Sequence, residues 1–136
     1  MGTLNGYSPV SAFLHVGAIP GTYTQTIKAI QGQHPSIHGV GVNALQRYWT
    51  LSSVTGPAFS HADLTFNYLA GDVVGTPAAY VFFKNSAGVW SQAPPAATPT
   101  TTSASINGVN SFSDWTLAQA AAVTPGNLQF LAANYD

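Results

Sequence analysis

Hydrophobic and polar positions alternate with a period of two through most of this chain and almost nowhere with the period of a helix. The run HADLTFNYLA (61–70) is the cleanest case: Leu64, Phe66 and Tyr68 fall on one face of an extended chain, Asp63, Thr65 and Asn67 on the other. YSPVSAFLHV (7–16) reads as a first strand, and TYTQTIKAI (22–30) as a second after the turn signal Ile19-Pro20-Gly21. QGQHPSIHGVGVNA (31–44) is Gly-rich and irregular, and LQRYWTLSSV (45–54) is the third clear strand. AAYVFFKNSAGVWSQ (78–92) reads as a hairpin turning at Asn85-Ser86-Ala87-Gly88. APPAATP (93–99) is too proline-rich for a central strand; TTTSASI (100–106) resumes one, ending at Asn107-Gly108, and FSDWTLA (112–118) is the last. QAAAVTPGN (119–127) then reads as a linker, and LQFLAANYD (128–136) as a strand with no partner downstream, so the chain reads as cut from something longer. The pattern predicts an all-β fold over residues 1–118: an Ig-like antiparallel β-sandwich of about seven to nine strands.

Composition narrows the function classes. Charged residues make up only 5% of the 136 residues, against about 25% in ordinary domains. The cations are Lys28, Arg47 and Lys84; the anions are Asp63, Asp72, Asp114 and Asp136, with no glutamate. No basic surface exists to release counterions from a phosphate backbone, so nucleic-acid binding is not expected. Membrane insertion is not expected either, because no apolar stretch approaches the ~18 residues of a spanning helix. With 12% aromatics the chain is not of the disordered type, and its solubility must come from Ser, Thr, Asn, Gln and Gly. The absence of cysteine rules out disulfides, zinc–thiolate sites and a cysteine nucleophile.

Three phrases taken together carry a resemblance. NGYSPVS near the start, RYWTL followed by ADLTFNYLAGDVVG, and FSDWTLA near the end resemble a β-sandwich module of large bacterial secreted or surface multidomain proteins. The tail PGNLQFLAANYD is similar to the first strand of a Calx-beta repeat. The resemblance covers residues 5 to 118. It implies a secreted or cell-surface location, structural or adhesive roles, neighbouring protein modules as partners, and no catalytic motif. It further implies that 119–127 is an interdomain linker and that 128–136 is an orphan strand from a following domain. On the same resemblance a strand usual before NGYSPVS is expected to be missing, which would leave a sheet edge open to the tail of the same or a neighbouring copy, a route to homo-oligomers.

The chemistry-bearing residues are few. His34 and His38 are four apart around Pro35 and could share a metal, while His15 and His61 lie on other strands; Pro35 and Gly39 argue against a helical pair, and solvated loop histidines are the plainer expectation. Asp63 and Asp114 are the candidates for a glycosidase-like pair of acids, with Asp72 in LAGDVVG reading as a turn residue. No nucleophile elbow is present. Lys84, in an apolar strand, could form an isopeptide bond with Asn67 or Asn85. A polysaccharide-binding surface would use exposed aromatics, and Trp90 beside SQAPPAA, with Tyr80, is the expected platform. Trp49 and Trp115, each followed two residues later by leucine, are expected in the core. Arg47 shares a strand face with Leu45, Trp49 and Leu51, so it should act as a structural peg, reaching Asp63, Asp114 or an aromatic ring. No cofactor is called for. The leading expectation is a non-catalytic structural or adhesion module, with a glycan-binding module and a small hydrolase as alternatives.

Overall fold

The computed structural model describes residues 2–3, 6–16, 21–35, 37 and 43–119. Extended chain dominates them, as the period-two pattern requires. The strands are β1 (Gly2–Thr3), β2 (Gly6–Tyr7), β3 (Val10–Val16), β4 (Ile27–Gln31), β5 (Arg47–Leu51), β6 (Phe59–Asn67), β7 (Tyr80–Ser86), β8 (Val89–Ala93), β9 (Ser103–Val109) and β10 (Asp114–Gln119). Single 3-10 turns at Ala70–Asp72 and Pro77–Ala79 are the only helical elements among the described residues. None of these is long or apolar enough to cross a membrane.

β1 and β2 form a short ribbon, and the other eight strands form two antiparallel sheets, β3-β6-β9 and β4-β5-β10-β7-β8. The expected antiparallel β-sandwich is therefore what the chain builds, Ig-like in its two layers. Within it the pairing is nested: β7 with β8, β6 with β9, and β5 with β10. This is one long hairpin wrapped across two sheets, the wiring of jelly rolls.

The core follows from the alternation. On β6, Ala62, Leu64 and Phe66 point inward, while Asp63, Thr65 and Asn67 lie on the other face, as predicted. Facing them are Trp49 and Leu51 of β5, Phe82 of β7, and Trp115 and Leu117 of β10. Trp49 meets Phe66 at 4.9 Å between ring centroids, and Phe66 meets Phe82 at 5.4 Å. Such aromatic pairs add to what area burial alone contributes. Trp49 and Trp115 are core residues, as expected.

Element ends differ from the sequence pattern in instructive ways. TYTQTIKAI forms a continuous ladder only from Ile27, with Thr24 making an isolated bridge to Thr55. The last strand reaches Gln119, one residue into the expected linker, because Gln119 pairs with Tyr80 and its amide donates to Asn43 O. The remaining linker and the strand at 128–136 lie outside the described residues. The hairpin turn is tighter than expected, a two-residue loop in which Ala87 (φ 52°) and Gly88 (φ 82°) are both left-handed. Right-twisted hairpins favour this turn, but it suits Asn-Gly better than Ala-Gly.

Arg47 is the structural peg foreseen, but its anion is Asp72. It is 0% exposed. Its Nε donates to Asp72 Oδ2 at 2.6 Å and a terminal nitrogen donates to Gln31 Oε1 at 2.6 Å. Gln31 Nε2 completes the ring by donating to Asp72 Oδ1 at 3.1 Å. Asp63 and Asp114 are engaged elsewhere. Asp72 does hold its own turn as well, accepting from the Leu69 amide.

Two outcomes follow. Arg47→Ala should lower the unfolding free energy in a urea titration by about 3–5 kcal/mol, because Asp72 would be left buried and unpaired; an Arg47→Met/Asp72→Leu double variant should recover much of that. Ala87→Gly should raise it by roughly 1 kcal/mol, since an L-residue in the left-handed region is strained by ~1–2 kcal/mol that glycine does not incur.

Candidate functional site

The two outer faces of the sandwich are finished differently, and this decides where chemistry can occur. On the five-stranded sheet, described residues from between β4 and β5 lie over the outward side chains. Ile37 and Ala44 pack there against Phe83, Trp90 and Ala118 to make a second, smaller core. Trp90 is therefore 4% exposed, and Tyr80, on the inner face, is 1% exposed. Neither is the glycan platform expected. Trp90 does lie on the outward side of its strand, as the alternation indicates, but loop residues cover it. Tyr80 is anchored by its hydroxyl, which donates to Val74 O at 2.7 Å.

His34 belongs to the same cover. It is 5% exposed, so it is not a solvated loop histidine. Its Nε2 lies 2.9 Å from Asp114 Oδ2, and its ring meets Tyr48 and Trp90 edge-on at 4.6 and 5.0 Å. Its proposed partner His38 lies outside the described residues. Asp114 thus anchors the loop to the start of β10. A shallow depression of about 310 Å³ at the far edge of this sheet is lined by Val81, Gln92, Ala93 and Pro94 and holds no acid, base or nucleophile.

Lys84 of β7 is part-buried. Its Nζ sits 5.7 Å from the centroid of the Trp115 ring and bonds Ser111 Oγ. Burial pulls its ammonium below the ordinary value of 10.5, as the apolar strand suggested. The two asparagines weighed for an isopeptide bond are held elsewhere, Asn67 Nδ2 on Pro9 O and Asn85 Oδ1 on the Gly88 amide.

The outer face of the three-stranded sheet has no comparable cover among the described residues. His15 of β3 and His61 of β6 are direct cross-strand partners, with rings stacked 4.0 Å apart at 21°. Asp63, two residues along β6 and hence on the same face, puts Oδ2 2.7 Å from His15 Nε2. One donor atom from each of the three lies within 4.8 Å of the others. Phe13, next on the same face of β3, is 65% exposed and meets the His15 ring edge-on at 4.8 Å. Asp63 is not half of a pair of acids. Each described aspartate has a basic partner of its own: Asp63 with His15, Asp72 with Arg47, Asp114 with His34.

The hydrogen bond from His15, then the Gly108 amide, hold the Asp63 carboxyl below its ordinary value of 3.8. The histidines that meet are His15 and His61, which the sequence placed only on separate strands, and not the pair singled out there. The signal was present in HAD (61–63), which by period two puts His61 and Asp63 on one face, but the register of β3 against β6 could not be read. No protein family, curated protein or solved structure matches this chain.

Because the folded-state value of Asp63 is depressed, the stability it contributes is present above the ordinary carboxylate value and is lost as pH falls through the lower folded one. A carbon-detected NMR titration should place the Asp63 midpoint below 3.8. His15→Ala should move it up toward that value.

Proposed function

We propose that this chain is a non-catalytic contact module, an adhesive or structural β-sandwich of a larger secreted or surface-displayed bacterial protein. The observation that carries the reading is Phe13, an aromatic ring left 65% exposed on β3, which is an edge of its sheet among the described residues. An exposed ring on a sheet edge offers both apolar area and unpaired backbone groups to an incoming strand of a neighbouring module. The sequence resemblance supports the same location and role. The distribution of the acids supports it too: the described aspartates are divided among three separate basic partners, where a glycosidase needs two facing each other across a substrate.

A second reading has its own observation. Phe13 is flanked on its face by His15 along β3 and by Asp63, its direct cross-strand partner on β6, an arrangement of ring and polar groups that suits a sugar face. If this module binds polysaccharide, Phe13 is the platform in place of Trp90 and Tyr80.

Phe13→Asp tests both readings. Stability should change by no more than about 0.5 kcal/mol, as at other exposed positions. Self-association measured by sedimentation, or depletion by insoluble polysaccharide, should fall at least tenfold, and which of the two falls identifies the partner class. Trp90→Ala should instead lower stability by about 3–5 kcal/mol through loss of the second core. Contact activity that survives Phe13→Asp in both assays would refute the placement on this face.

A further inference from the structure

The cluster on the three-stranded sheet carries more than a contact role. We infer that His15, His61 and Asp63 form a binding site for a divalent transition-metal ion of the zinc class, independently of what Phe13 contacts.

The donor set is two imidazoles and one carboxylate on neighbouring, hydrogen-bonded strands, with the His15 and Asp63 side chains part-exposed. Tetrahedral zinc with bonds of about 2.0–2.2 Å wants its donors ~3.3 Å apart. The 2.7 Å separation of His15 Nε2 and Asp63 Oδ2 would have to open slightly, and the stacked His61 ring would have to tilt so that its lone pair converges. Both are side-chain rotations on a fixed backbone. The ion takes the place of the hydrogen shared by His15 and Asp63, which moves to Nδ1 of the same neutral imidazole.

The stronger observation is how the ligands are supported. The sheet is bulged on both sides of the cluster, and each bulge supplies a group that orients a ligand. Between β3 and β6 the register shifts at His15/Val16, leaving Ser60 as the extra residue. Its hydroxyl donates to His15 O at 3.1 Å and lies 3.0 Å from His61 Nδ1. With its only hydrogen spent on that carbonyl, Ser60 Oγ can only accept from His61, so His61 carries its proton on Nδ1 and keeps the Nε2 lone pair free.

Between β6 and β9 the register shifts again, so that Asn107 and Gly108 oppose Asp63 alone. Gly108 takes the left-handed φ of 74° and turns its amide onto Asp63 Oδ1 at 3.1 Å. That leaves Oδ2 for the ion. Metal-binding histidines and carboxylates are characteristically fixed by such outer partners, and bulges gather where a sheet must re-aim side chains. A set of solvated polar residues would need neither bulge.

Zinc chloride titrated into the full chain, followed by nitrogen-15 NMR of the histidine rings, tests the inference without any substitution. The His15 and His61 signals should shift together and saturate at one equivalent, with His34 unmoved. Shifts confined to His34 and His38, or no shift at millimolar zinc, would overturn it. In parallel, calorimetry on His61→Ala and Asp63→Asn should show zinc binding weakened at least a hundredfold. Ser60→Ala, which keeps all three ligands, should weaken it about tenfold, the size of a lost outer-shell partner. Binding unchanged in folded His61→Ala would equally refute the site.

Discussion

A guanidinium buried in a β-sandwich must be given anions and acceptors there, and meeting that need organises one end of this molecule. Arg47 lies on the inward face of β5, in line with Trp49 and Leu51, where no water can replace its hydration. Its ring of bonds with Asp72 and Gln31 ties the edge strand β4 to β5, and ties both to the crossing that carries the chain from the three-stranded sheet to the five-stranded one. The Gln46 amide donates to Asp72 O, and Thr116 Oγ1 donates to Arg47 O, so the backbone on either side is drawn in as well. The net gain from such a pair is small, since desolvation offsets most of the attraction. Its effect is on wiring: any arrangement that separates Ala70–Asp72 from β5 leaves a bare charge inside.

The scarcity of charge in the rest of the chain has the same logic. With little else available for solvation, polar side chains are spent on backbone groups at the rims of the sandwich. Tyr68 donates to Thr100 O and Ser103 O, and burial, with the neighbouring Tyr80, pushes its phenol well above the ordinary tyrosine range. Tyr80 does the equivalent at Val74. These are tethers between strand ends and the irregular segments that join them. They let long loops follow the sheets without leaving their own amides and carbonyls unsatisfied.

How much of this could be read from the sequence depended on the range over which each feature is determined. The alternation in 61–70 is local, so the inward set of β6 followed from period two alone. The core placement of Trp49 and Trp115 followed the same way. Trp90 failed for a reason that alternation cannot carry. It does lie on the outward side of β8, but residues some fifty positions earlier cover it there. Arg47 was legible as a peg, and its partner was not, because Asp72 reaches it through a chain crossing between sheets. His15 and His61 were legible only as residues on separate strands. Their meeting depends on a cross-strand register, and on a bulge that places Ser60. Neither leaves a mark in residue spacing.

The two outer faces then separate the work of the molecule. On the five-stranded sheet the histidine–aspartate contact joins a buried His34, itself part of the cover over that face, to a part-exposed Asp114 at the start of β10, and so fastens the cover. On the three-stranded sheet the corresponding contact, His15 with Asp63, lies half-exposed beside a second histidine and a bare phenylalanine. The two contacts thus differ in their histidines: His34 is buried against the Tyr48 and Trp90 rings, whereas His15 is part-exposed and stacked on His61. Among the described residues the outer face of the three-stranded sheet has no such cover; it is polar at its centre and aromatic at its edge. Whatever this protein touches, the physical case for where it touches rests on β3 and β6.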